Sequence, residues 1–200
     1  MIIILIGLII GIVGYIMVNN VNLCLLELNR KGSRSSLVFF CILALVFEGA
    51  YCFGTLYMLE RLMHYPLVIR IAQYLSIGFL FAIGLWTLME SSKPQEALQE
   101  NIIRRGYWSV VIHPQQIPFW FFWGLLLIRK QLLLPDSGHF LLLSIANCAG
   151  SLIVFLLYIR YGNKLIERFS IRRNLLKNIV GVICLGSGVL LAVDILRSGT

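Results

Sequence analysis

The chain has 200 residues, 59% of them hydrophobic and 13% charged, with a formal net charge of +8. A soluble domain carries about 25% charged residues, so this composition excludes an ordinary water-soluble fold and predicts an all-α polytopic membrane protein whose first partner is the lipid bilayer. The basic residues lie between apolar runs, where they orient a membrane protein, which argues against nucleic acid as a partner.

Met1 to Val18 is apolar but has neither a basic leading region nor a small-residue cleavage site, so it reads as a retained membrane segment. The apolar character resumes after Asn19-Asn20-Val21-Asn22 and continues to Leu28. As one straight helix, residues 1 to 28 would be about 42 Å long at about 1.5 Å per residue, against a hydrocarbon core of about 30 Å. Three asparagines in four residues predict a break near 19 to 22; amides bonded to neighbouring helices are the alternative.

A basic loop with Arg30, Lys31 and Arg34 leads to a second span from about Leu37 to Leu59. Its one mid-span charge is Glu48, which costs about 2.5–3.5 kcal/mol at the centre of a membrane helix and so is expected to face the protein interior. Cys41, Ala44, Glu48, Cys52 and Thr55 recur at helical spacing and put small and polar groups on one face. The third span runs from about Leu67 to Met89, with Arg70 as an interfacial anchor. Residues 90–105 form the most polar stretch, a linker between two halves, 1–89 and 106–200.

The second half opens on a fourth span, about Gly106 to Ile128, that carries His113, Pro114, Gln115, Gln116 and Pro118 in its middle. Pro114 and Pro118 each remove a backbone donor and obstruct the preceding turn, which predicts a helix break beside polar side chains, the usual setting of a midplane binding site. A kinked helix without a ligand is the plainer alternative. The fifth span, about His139 to Tyr158, shows Ser144, Asn147, Cys148 and Ser151 on one face. The sixth, about Asn178 to Leu196, contains Gly181, Gly186 and Gly188, expected to allow close helix contact, and ends near Asp194.

Twelve of the 17 lysines and arginines fall in the loops after spans one, three and five. The positive-inside rule makes those loops and the 90–105 linker cytoplasmic and leaves both termini outside. Three spans per half then run in opposite senses, giving six transmembrane helices as two inverted three-helix halves.

The cysteines, Cys24, Cys41, Cys52, Cys148 and Cys184, all lie in apolar runs and form no C-x-x-C pair, so they read as small buried residues. Metal-protease, serine-nucleophile and dithiol motifs are absent, so neither an enzyme, a cofactor nor a bound metal is expected.

The run Val18-Asn19-Asn20-Val21-Asn22-Leu23, the following Asn29-Arg30-Lys31-Gly32-Ser33-Arg34 and the second span with Glu48 resemble the N-terminal half of the LysE-type amino-acid exporter family. His113-Pro114-Gln115, followed by Ile117-Pro118-Phe119-Trp120, is similar to the Asn-Pro-Lys type motif that opens the family's second half, and Asn178 to Leu191 resembles its last helix. The chain departs from the family in having no Pro-Gly-Pro turn in the first span, with Met17-Val18-Asn19 in that place. It also carries His113 and Gln115 where asparagine and lysine are usual.

The resemblance implies a six-helix protein of the bacterial inner membrane, commonly a homodimer, that exports amino acids or related small metabolites in exchange for protons. On that reading Asn19, Asn20, Asn22, Gln116 and Asn147 bind substrate, Glu48 and His113 carry the coupling proton, and Pro114 and Pro118 break the helix. A metal or inorganic cation exporter and a non-transporting scaffold are the alternatives. A hard-cation site would need more buried carboxylates than Glu48.

Overall fold

Backbone amides in hydrocarbon find partners only inside a helix or a closed barrel. Every element of the computed structural model is helical among the residues it describes, which are 2–16, 20–31, 34–89, 102–112, 116–171, 178, 181–182, 185–190, 192–193 and 195. The helices are α1 (Ile2–Tyr15), α2 (Asn20–Arg30), α3 (Arg34–Leu62), α4 (Pro66–Met89), α5 (Ile102–Val111), α6 (Gln116–Arg129) and α7 (Ser137–Ile171). Among the described residues two stretches, Arg34–Leu62 and Ser137–Gly162, are long and apolar enough to cross a membrane, and counting each bent pair as one span brings the number there to four.

Those bent pairs are α1 with α2, turned through 74°, and α5 with α6, turned through 42°. The first helix stops at Tyr15 and restarts at Asn20, so the interruption begins upstream of the asparagine cluster, and Asn20 and Asn22 belong to the new helix. The second interruption separates Val111 from Gln116. Pro118 falls just past it, in the first turn of α6, where a missing N–H costs no helical bond. Pro118 therefore lies in the opening turn of the restarted helix, directly after the interruption. α5 starts at Ile102, inside the stretch expected to be linker.

Large apolar side chains face outward along the long helices, for example Val38, Ile42 and Val46 on α3 and Leu141, Ile145 and Leu156 on α7, while Glu48, Asn147 and Ser151 are buried. This inside-out distribution suits a bilayer as solvent, where apolar exposure costs nothing and polar groups must find one another.

With lipid as apolar as leucine, helices in a membrane gain by close approach of small residues. Gly7 on α1 faces Leu143 and Ala146 of α7, Gly11 faces Asn147 and Ser151, and Gly150 of α7 faces the α1 backbone at Leu8 and Ile12; a methyl group at Gly11 would collide with the backbone oxygen of Asn147. Gly106 of α5 sits on Cys24 of α2, and Gly124 of α6 sits on Leu56 and Leu59 of α3. Gly181 and Gly188 abut Gly84, Leu88 and Phe81 of α4, whereas Gly186 meets no such neighbour among the described residues. Both α1 and α2 lie against α7, and both α5 and α6 lie against α3. Each bent pair thus rests on the long helix of the other half of the chain.

The turn into α7 shows how its ends are held. Gln131 takes a left-handed φ of 56° after α6, and the Leu132 amide returns to the Leu127 carbonyl at 2.9 Å, closing the last turn. Asp136 then caps α7, its carboxylate accepting the His139 backbone N–H at 3.0 Å and the His139 ring at 2.5 Å. The backbone N–H bond is the main cause holding the Asp136 carboxyl below the usual carboxylate range.

Candidate functional site

A helix that stops inside a membrane leaves carbonyls without partners, and each must be met by a side chain or water. At the first break Asn22 Nδ2 donates to the Tyr15 carbonyl at 2.8 Å, and the Tyr158 hydroxyl donates to the Ile16 carbonyl at 3.0 Å. At the second break the Tyr51 hydroxyl donates to the Val111 carbonyl at 2.8 Å. The helix ends leading into both interruptions thus have carbonyls met by side-chain donors from other helices.

Between them lies Glu48. It sits on the buried stripe of α3 that also presents Ala44, Cys52 and Thr55, and only 5% of it is exposed. Its Oε2 accepts the Tyr15 hydroxyl at 2.8 Å and Gln116 Nε2 at 2.5 Å, and its Oε1 accepts Asn147 Nδ2 at 2.9 Å. Tyr15 is the last residue before the first break, and Gln116 is the first residue of the helix after the second. Asn147 comes from α7, directly where Gly11 brings α1 against it. One carboxylate thus ties together four helices and both interruptions. Among the described residues no lysine, arginine or histidine pairs with it.

The amide oxygens Gln116 Oε1 and Asn147 Oδ1 and the indole nitrogen of Trp120, one turn beyond Gln116, are buried without a partner among the described residues. Such groups are uncommon in native structures and each calls for an explanation.

An open groove of about 510 Å³ lies beside the breaks, lined by Asn20, Arg104, Arg105, Trp108, Ser109 and Ile112. Asn20 begins α2 and Ile112 directly follows α5, so the groove touches the downstream side of one break and the upstream side of the other. Glu48 is not among its lining residues.

Of the residues singled out in the sequence, Glu48, Gln116 and Asn147 come together. Asn20 and Asn22 bond elsewhere: Asn20 Nδ2 donates to Ser109 Oγ at 3.1 Å on the groove, and Asn22 closes the end of α1. Asn19, His113 and Pro114 lie outside the described residues. Tyr15 was not anticipated; its signal was a hydroxyl inside an apolar run, four residues before the first asparagine. The close contact of α1 with α7 was also missed, although Gly7-x-x-x-Gly11 and Ala146-x-x-x-Gly150 both carry the small-residue spacing.

The chain matches no protein-family model, no curated protein and no solved structure. Among the described residues no three His, Cys, Asp or Glu side chains gather as a metal site.

Proposed function

We propose that this protein is a secondary transporter of the bacterial inner membrane that exports amino acids or related small metabolites in exchange for protons, built from six spans in two inverted halves. The reading rests on one observation: the buried Glu48 carboxylate is bonded at once by the residue before the first helix break and the residue after the second. A buried carboxylate without a cation is costly when charged and far less so when protonated. Its charge state therefore biases which arrangement of the surrounding donors is stable, which is what a coupling group must do.

The crossed arrangement of the bent pairs on the opposite long helices supports two related halves that rock about the Glu48 junction. The groove carrying Arg104 and Arg105 offers guanidinium groups to a substrate carboxylate on its way to the junction.

Proteoliposomes holding the purified chain, loaded with amino acids and given a pH gradient, test this directly. The wild type is expected to move solute, and Glu48→Gln to lower the pH-driven component by about 5- to 150-fold, the range of ordinary coupling energies. His113→Ala is expected to weaken it as well. Undiminished pH-driven flux in both variants contradicts the assigned roles. The near-complete burial of Glu48 also favours a second reading, a non-transporting membrane scaffold; in that case no gradient drives any solute.

A further inference from the structure

The two faces of α5 touch different things. Gly106 and Tyr107 turn toward Cys24 of α2 and Phe40 of α3, and Val110 is buried in the same cluster. Arg104, Arg105, Trp108 and Ile112 are exposed and line the groove of about 510 Å³, within the range of about 300–1,000 Å³ usual for ligand sites. Arg104, Trp108 and Ile112 follow one another at single-turn spacing, the last held in register by its amide, which donates to the Trp108 carbonyl at 2.8 Å. From Arg104 to Ile112 the helix rises about 12 Å at about 1.5 Å per residue. The groove is therefore cationic at one end and aromatic and aliphatic toward the other.

The cationic end closes the most polar stretch of the sequence, residues 90–105, and so lies at the edge of the membrane. Among the described residues no carboxylate pairs with Arg104 or Arg105. Asn20 Nδ2 donates to Ser109 Oγ at 3.1 Å across the groove, which leaves the Ser109 hydroxyl proton to donate outward. Trp108, 55% exposed, brings the amphipathic ring that membrane proteins place at headgroup level.

We propose that this groove binds an anionic phospholipid, its phosphate on the Arg104 and Arg105 guanidiniums and its glycerol and upper acyl carbons along Trp108 and Ile112. Guanidiniums hold phosphate oxygens through charge-assisted bonds, and basic pockets between membrane helices take lipid head groups. A free phosphate or a small carboxylate would satisfy the cations and leave Trp108 and Ile112 uncovered. A zwitterionic lipid would cover them but bring its own cation to the guanidiniums. Charge followed by apolar surface along one groove fits an amphiphile with its anion at the membrane edge.

The inference goes beyond the transport reading and stands without it. Asn20 opens α2 and Ile112 directly follows α5, so a lipid seated here bridges the two bent pairs. In a transporting chain it would compete with a solute carboxylate for the same guanidiniums.

The test is thermal unfolding of the purified full-length chain in a nonionic detergent, titrated separately with phosphatidylglycerol, phosphatidylcholine, inorganic phosphate and sodium acetate. Phosphatidylglycerol is expected to raise the midpoint by about 5–10 °C at a concentration about 100-fold above its Kd, since a ligand bound only by the folded chain stabilises it. The other three are expected to leave it nearly unchanged. Arg104→Ala with Arg105→Ala should lose most of the phosphatidylglycerol shift, and Trp108→Ala should reduce it. Arg30→Ala with Lys31→Ala removes the same charge from the exposed end of α2 and should keep it. The comparison among the four ligands uses the native chain alone, so it stands even if a variant fails to fold.

An equal shift with phosphatidylcholine would mean undirected amphiphile binding, an equal shift with phosphate or acetate a site for small anions, and no shift with any ligand a bare surface; each overturns the proposal. So does an equal loss in the two double variants, which would put the lipid on basic charge in general. Flux in proteoliposomes separates the lipid site from transport. Stabilisation by phosphatidylglycerol without solute movement leaves the lipid site and removes the transporter, and solute movement without stabilisation does the reverse.

Discussion

Gly11→Leu is expected to separate α1 from α7 and to cost about 3 kcal/mol or more, beyond the usual range for overpacking because the obstruction is backbone. Even the first carbon of a side chain at Gly11 would meet the Asn147 carbonyl and stand 2.9 Å from the Ser151 amide nitrogen, and neither can swing aside as a side-chain end would. Gly11→Ala should therefore already be destabilising, by about 1–3 kcal/mol. Gly14→Ala, three residues along the same helix, is the control, since among the described residues nothing lies within 4 Å of an added methyl there. It should be neutral or slightly stabilising, because alanine favours helix over glycine by about 1 kcal/mol. Thermal unfolding in a mild detergent reads the difference. Equal behaviour of the two alanine variants would show that α1 does not seat on α7 as described.

Glu48→Leu is expected to be far more damaging than Glu48→Gln, although leucine is the better residue for hydrocarbon. Leucine leaves the Tyr15 hydroxyl and the Gln116 and Asn147 amides without their acceptor, and each buried donor left unsatisfied costs about 1–3 kcal/mol. Glutamine keeps one acceptor oxygen and adds an NH2. That new donor is met if Gln116 or Asn147 rotates inward its amide oxygen, which has no partner among the described residues. Glu48→Gln should thus unfold close to the native temperature while losing pH coupling, and Glu48→Leu should unfold well below it. A leucine variant as stable as the native chain would mean that the three donors do not depend on the carboxylate.

The elements that were legible in the sequence are those marked by a conflict between residue type and environment. A lone carboxylate in Leu37–Leu59, an asparagine cluster in an apolar run and prolines within a membrane span each contradict their surroundings; the carboxylate marks the junction, and the other two lie beside the helix interruptions. Helix breaks were legible for the same reason, though the first begins before the asparagines, which serve the restarted helix. Tyr15 and Gly11 agree with an apolar segment and so were invisible: a tyrosine or glycine there reads as ordinary membrane-helix composition until the neighbour it faces is known. The partners of Asn20 and Asn22 were not legible, because an amide near a break looks the same whether it holds a solute, a second helix or a carbonyl left over by the break. Only the partner atom distinguishes these, and for Asn22 it is the Tyr15 carbonyl.

The most direct check is infrared difference spectroscopy of the purified chain through a pH titration, following the C=O band of a protonated buried carboxyl. The band should vanish in Glu48→Gln and should shift in frequency in each of Tyr15→Phe, Gln116→Leu and Asn147→Leu, because each removes one bond to that carboxyl. A band that is lost in Glu48→Gln but unmoved by the other three would contradict a carboxylate held jointly by both helix breaks.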